Sequence, residues 1–248
     1  MKKLLALAIS AIVSTTTFAS LEKAESNFKK KYPNTTITSI GNTPIDGIYE
    51  VVLGKNIAYT DISGDFFIFG SLVRMSDQTD LTQIKREELN KINFSDLPLD
   101  KAIAIKKGKG ERKIAVFSDP DCPFCKRLEQ ELHKLDNVTI YIFLNPLKQL
   151  HPQAVEISQK IWCSKDRALA WKDYMLGGIS PTGNTTCNNP VNETVKLAQQ
   201  LGINGTPTSF LVDGSKITGA KTSSELDYAL TRATERAAAE KAESKKKK

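Results

Sequence analysis

Histidine is scarce in this chain of 248 residues, where His133 and His151 are the only two. Cysteine is scarce as well: there are four, and only Cys122 and Cys125 lie at close spacing. A structural zinc site takes four Cys or His ligands, and a lone Cys-x-x-Cys without a second pair at ligand spacing does not complete one. Long apolar runs are missing too. The run Leu4–Val13 is too short to span a bilayer comfortably, and no later segment approaches transmembrane length. Excess charge disappears once the chain is divided. Of the formal +7, Lys2 and Lys3 carry +2 and the segment 241–248 carries +4, which leaves about +1 for the body. A nearly neutral body lacks the basic footprint of a nucleic-acid-binding protein. The Lys-rich end reads as a solvated, disordered tail.

What the chain does have is the stretch Phe117-Ser118-Asp119-Pro120-Asp121-Cys122-Pro123-Phe124-Cys125-Lys126-Arg127. Ile114, Val116 and Phe117 end a buried strand, and Leu128, Leu132 and Leu135 share one face of a following helix. Cys122 then falls at that helix's N-terminus, and Pro123 suits the first helical position, where its missing N–H had no intrahelical partner. Free N–H groups and the helix dipole favour an anion there, so the Cys122 thiol is predicted to ionise below the ordinary range. Cys125, one turn on, is close enough to form a disulfide with it, and the pair can cycle between dithiol and disulfide. A four-residue loop gains little closure entropy, which argues against a purely structural bridge. Asp119 and Asp121 oppose a thiolate while Lys126 and Arg127 favour it. His133 reads as a surface helix residue, and Trp162 and Trp171 as buried helix residues.

The segment Met1–Ala19 has two lysines, an apolar run and small residues up to Thr17-Phe18-Ala19, the pattern of a cleavable secretory signal. Export, and an oxidising compartment such as the periplasm, are therefore expected. The remainder divides by pattern. Residues 20–75 open with a short amphipathic helix carrying Leu21, Ala24 and Phe28, ended at Tyr32-Pro33-Asn34. Strands are predicted over Thr35–Ile40, Ile48–Leu53, Ile57–Thr60 and Phe66–Val73. This module holds neither cysteine nor histidine and is small for an isolated core, so association is expected. The run Phe66-Phe67-Ile68-Phe69 places apolar groups on both faces of its strand, which points to a dimer interface. A mostly polar helix within 76–97, with Ser76, Asp77 and Thr79 as capping candidates, reads as a solvated linker. Residues 98–240 alternate strands and helices: a β-α-β start, a helical insertion over 153–201, a hairpin through Asp213-Gly214, and a last helix over 223–239.

The segment Phe117–Lys126 resembles the active-site segment of the thioredoxin superfamily, and Gly205-Thr206-Pro207-Thr208 before a strand resembles that family's cis-proline loop. With the export signal, the small N-terminal sheet module and the linker helix, the chain resembles the bacterial periplasmic disulfide isomerases of the DsbC and DsbG group. The resemblance implies an α+β two-domain fold: an N-terminal cystatin-like dimerisation domain, a linker helix and a C-terminal thioredoxin-like α/β domain with a helical insertion. It implies Cys122 as nucleophile, Cys125 as resolving cysteine, and Pro207 as a cis-proline beside the dithiol. Thr206 would offer backbone hydrogen bonds to substrate, and Pro123-Phe124 would tune the redox potential. Two leftover cysteines in an oxidising compartment should pair, and similar isomerases carry such a bridge, so Cys163 and Cys187 are expected to form a structural disulfide. Implied partners are a second copy of the chain, misoxidised exported proteins and a DsbD-like membrane thiol reductant, with no cofactor or metal. Pro123-Phe124 departs from the Gly-Tyr usual in DsbC toward the Pro-Tyr of DsbG. Isomerase, DsbG-like reductase of sulfenylated cysteines with holdase activity, and dithiol oxidase all stay open at this point.

Overall fold

The computed structural model describes residues 12–246, with side chains from Ala19 onward. The apolar run behind the export expectation lies largely outside the described residues, as do Lys247 and Lys248. The chain divides into two compact units, Met1–Asn90 and Lys91–Lys248.

In the N-terminal unit, helix α1 (Ile12–Lys31) buries Ala24 and Phe28, and Pro33 ends it by removing the next amide donor. Four antiparallel strands follow in the order β1 (Ser39–Asn42), β2 (Ile48–Leu53), β3 (Asn56–Asp61) and β4 (Phe67–Ile68). Residues 54 and 55 close the β2–β3 hairpin, with Gly54 at φ +65°. β1 starts later than the sequence pattern suggests. Thr38 already bonds to the Val52 carbonyl at the far end of β2, which leaves nothing for residues 35–37 to pair with. β4 keeps only two residues of its expected run, and it begins at Phe67 because the Asp61 carboxylate gathers the Ser63, Asp65 and Phe66 N–H groups (3.1, 2.9 and 3.1 Å) into a turn. Phe28 and Tyr32 pack edge-on against the Phe67 ring (5.7 and 5.6 Å), whereas Phe66 and Phe69 are 75% and 78% exposed.

A short hairpin, β5 (Val73–Arg74) with β6 (Thr79–Asp80), absorbs Ser76 and Asp77 in its turn. The cap of α2 (Leu81–Leu89) is therefore Asp80, whose carboxylate accepts the Gln83 N–H at 2.8 Å. This helix is less solvated than a free linker. Thr82 is buried, its hydroxyl paired with the Tyr59 hydroxyl and accepting the Leu72 N–H at 2.7 Å.

The C-terminal unit holds a five-stranded sheet. Its strands are β7 (Ile103–Lys107), β8 (Arg112–Ser118), β9 (Val138–Leu144), β10 (Thr208–Leu211) and β11 (Lys216–Thr218), in the order β11-β10-β8-β9-β7. β8 and β9 are parallel, joined through α3 (Pro123–Leu132), and the other pairings are antiparallel. Alternation along β8 builds two cores. Ile114 and Val116 join Leu128 and Leu132 of α3, Trp171 of α5 (Arg167–Gly177), and Leu226 and Leu230 of α7 (Ser223–Lys246). Ala115 and Phe117 face the other way, onto Phe143, Phe210 and Ala198 of α6 (Val191–Gln200). Helix α4 (Ala154–Trp162) completes the insertion. Gly214 turns the β10–β11 hairpin at φ +80° and lies so close to the backbone that a Cβ would sit 2.0 Å from the Ile92 carbonyl oxygen.

The C-terminal end also differs from the sequence expectation. The segment 241–246 is the exposed end of α7 and not a disordered tail, because Ala, Glu and Lys are strong helix formers that extend a helix already nucleated by its buried face.

Candidate active site

Strand β8 ends at Ser118 and the chain turns through Asp119-Pro120-Asp121 into α3. Cys122 is the N-cap, with extended backbone (φ −72°, ψ 122°), and Pro123 is the first helical residue. Both Cys122 and Cys125 are free thiols, and both are recessed, Cys122 being 5% exposed. Phe124, between them, is 61% exposed. From the other side the loop before β10 supplies a cis Thr206–Pro207 bond, and Cys122 Sγ lies 3.5 Å from the Thr206 carbonyl oxygen. The Thr206 hydroxyl is buried without a partner.

The two sulfurs are electrostatically unequal. A hydrogen bond from the Cys125 thiol pulls the Cys122 thiol down to about 5, against the effect of burial and with help from the Cys125 and Phe124 N–H groups. The same hydrogen bond and deeper burial push the Cys125 thiol well above the ordinary cysteine range. Its sulfur accepts the Asp119 N–H at 3.4 Å, and the Ser118 hydroxyl is a second donor. At neutral pH the site therefore holds one thiolate and one protonated thiol.

Around the dithiol stand three polar pairs that sequence spacing does not announce. The fully buried Asp119 carboxylate accepts N–H groups from Asp121 (2.8 Å) and Leu147 (2.6 Å) and faces His151 Nδ1 at 3.0 Å. The Tyr174 hydroxyl donates to Asp121 at 2.5 Å, and Lys126 lies over the Tyr174 ring at 5.2 Å. Trp171 Nε1 donates to the buried Glu129 carboxyl at 3.0 Å. His133 sits exposed at the end of α3. Cys163 and Cys187 are joined as a disulfide between the end of α4 and the loop before α6. Among the described residues, no three His, Cys, Asp or Glu side chains converge as metal ligands.

A thiolate and a protonated thiol at a helix N-terminus, beside a cis-proline loop on a mixed five-stranded sheet, define a thioredoxin-like thiol–disulfide oxidoreductase. The comparisons agree with that class and narrow it. A family model described as a thioredoxin-like domain matches residues 99–234, and one described as the disulfide bond isomerase protein N-terminal domain matches residues 15–83. The probable thiol:disulfide interchange protein DsbC of Bordetella pertussis is 35% identical over 209 residues, covering 84% of this chain and 74% of its own. Thiol:disulfide interchange protein DsbC of Escherichia coli K12 is 25% identical over 193 residues, 76% of this chain and 79% of its own. A crystal structure of a disulfide interchange protein from Neisseria gonorrhoeae is 46% identical with a TM-score of 0.54, covering 56% of this chain and 99% of that one. The chain belongs to the DsbC family of thiol:disulfide interchange proteins.

Proposed function

We propose that the chain is a periplasmic disulfide isomerase and reductase that attacks misoxidised exported proteins through Cys122. The observation that carries this reading is the free dithiol at the start of α3, with Cys122 at the N-cap and the cis Thr206–Pro207 loop beside it, an arrangement that holds the Cys122 thiol low and the Cys125 thiol high. Cys122 Sγ attacks one sulfur of a substrate disulfide, the old S–S bond breaks, and the electron pair leaves on the other substrate sulfur as a thiolate. That thiolate either attacks a second substrate disulfide, and the thiolate this releases attacks the substrate sulfur of the mixed disulfide so that Cys122 Sγ leaves as a thiolate and the substrate is isomerised, or it takes a proton and stays reduced. In the second case Cys125 loses its proton and attacks Cys122 Sγ, giving reduced substrate and an enzyme disulfide. A DsbD-like membrane thiol reductant then restores the dithiol. Thr206 and Pro207 flank the sulfur under attack, where the Thr206 backbone would hold the substrate strand, and Phe124 offers it an apolar contact.

A homodimer is part of the proposal. It is supported by the match to an isomerase N-terminal domain and by the exposed Phe66, Ile68 and Phe69 in that unit. Periplasmic location rests on the family and on the signal-like Met1–Ala19; among the described residues no helix is long and apolar enough to cross a membrane.

The testing experiment is refolding of a scrambled multi-disulfide substrate in a glutathione buffer, with the full chain compared with a form beginning at Lys91. Full-chain activity well above that of the shorter form supports a dimeric isomerase; equal, weak activities overturn it. Replacing Cys122 with serine is expected to lower activity to the uncatalysed rate. Cys125→Ser is expected to accumulate mixed disulfides with substrate on non-reducing gels. Alkylation of Cys122 should persist down to about pH 5 and fall about tenfold per unit below it, because only the thiolate reacts.

A further inference from the structure

Asp119 touches the dithiol with its backbone and the rest of the site with its side chain. Its N–H donates to Cys125 Sγ at 3.4 Å and its carbonyl accepts the Cys122 N–H at 3.2 Å. Its carboxylate, with no exposed surface, is pinned by the Asp121 and Leu147 N–H groups and by His151. His151 lies on the loop between β9 and α4, and this loop is tied to the end of β8 a second time by Asn145, whose N–H donates to the Ser118 carbonyl at 2.8 Å.

A carboxylate is an acceptor only, so His151 Nδ1 must carry the proton that meets Asp119, and the ring gains or loses charge at Nε2. With its side chain 23% exposed, that ring can exchange a proton with water. The charged and titratable groups facing it are Asp119, Asp121 and Cys122, all from the turn between β8 and α3. Tyr174 of α5 donates to Asp121 and also feels the Asp119 charge, and Lys126 of α3 lies over the Tyr174 ring.

We propose that His151, acting through Asp119, is a positioning residue whose positive charge offsets the buried carboxylate beside the dithiol and so sets how readily Cys122 ionises. Without that charge, the Asp119 anion next to the active-site turn opposes a second anion at Cys122. The hydrogen bond to Asp119, and next the Asp119 and Cys122 charges, hold the imidazolium above the ordinary histidine range. His151 is therefore still charged at the pH where Cys122 ionises. The coupling is reciprocal: a charge that favours the thiolate is itself favoured by it. Oxidising Cys122 and Cys125 to the disulfide removes the anion and should let His151 release its proton at lower pH.

This inference rests on Cys122 being the nucleophile, and two measurements separate the claims. The first uses the unaltered full chain. His151 and His133 are the only histidines, so their imidazole proton signals can be followed by NMR against pH in the reduced and oxidised forms. The His151 midpoint is expected to fall on oxidation while that of His133 stays put; a His151 midpoint equal in both forms overturns the proposal. The second is the rate of iodoacetamide alkylation against pH, with the modified residue identified by mass spectrometry. His151→Asn retains a donor for Asp119 but cannot be charged. It is expected to move the acid limb of Cys122 alkylation up by roughly half a pH unit, about a twofold loss of rate at pH 5 and about threefold a unit or more below it. A merely structural role would not displace that limb, and an unmoved limb in a variant with the native near-ultraviolet circular dichroism also overturns the proposal. In either case, alkylation found on Cys122 leaves the nucleophile assignment standing, and alkylation found elsewhere removes it.

Discussion

Glu129 shows how one buried group ties stability to pH. Burial pushes its carboxyl up, against the hydrogen bond from Trp171 and the nearby Lys107 charge. A carboxyl with a higher pKa folded than unfolded holds its proton more tightly in the native state, so its contribution is fully present below the unfolded value and declines as pH rises past it. Glu129→Gln retains an acceptor for Trp171 and cannot ionise. Urea denaturation should find it more stable than the parent by about 1 kcal/mol at pH 7 and nearly equal at pH 4. A variant less stable at pH 7 would mean that the native carboxylate is charged and paired. Residue by residue, the sequence shows the dithiol because its chemistry is local: two cysteines one turn apart at a helix start. Asp119 with His151, Asp121 with Tyr174 and Glu129 with Trp171 are separated by 32, 53 and 42 positions. No local periodicity encodes such a meeting, and an isolated histidine such as His151 carries no signal until β9 and α4 bring it home.

At the scale of elements, the Cys163–Cys187 bridge anchors the end of α4 to the loop that leads into α6, closing a sequence separation of 24. Gly183 lies in the enclosed loop so near the backbone that a Cβ would meet the Lys160 carbonyl oxygen at 2.0 Å. Replacing both cysteines with alanine is expected to lower stability by about 3 kcal/mol in urea denaturation while leaving Cys122 alkylation unchanged. A loss of alkylation as well would show that the insertion shapes the dithiol itself. α3 ends at Leu132, so Leu135, expected on its apolar face, reaches the same core from beyond the helix end, but α6 can be read from the sequence to within a residue. β7 cannot, because it is an edge strand whose outward residues are polar or exposed and whose partner β9 lies some thirty residues downstream. β4 misleads in the opposite sense: its apolar run is long, but only Phe67 and Ile68 pair, with Thr60 and Tyr59 of β3.

For the molecule as a whole, composition and order of elements reveal two units because a cysteine-free antiparallel module and an alternating α/β module obey different patterns. Association has to be tested directly. Replacing Phe66 and Phe69 together with serine removes two large exposed apolar groups at roughly 2 kcal/mol each, enough to weaken a dimer by a hundredfold or more. Sedimentation should then show monomers at micromolar concentration with the Cys122 alkylation rate intact; an unchanged dimer would place the interface elsewhere. The recess around Cys122 has a consequence for which disulfides the protein can edit. On the proposed reading, a sulfur that shows so little surface favours a bond carried on slack chain, able to leave its own neighbours and reach Cys122. Native bonds, held tight by finished folding, would meet it far less often, so rigidity of the client would act as the stop signal.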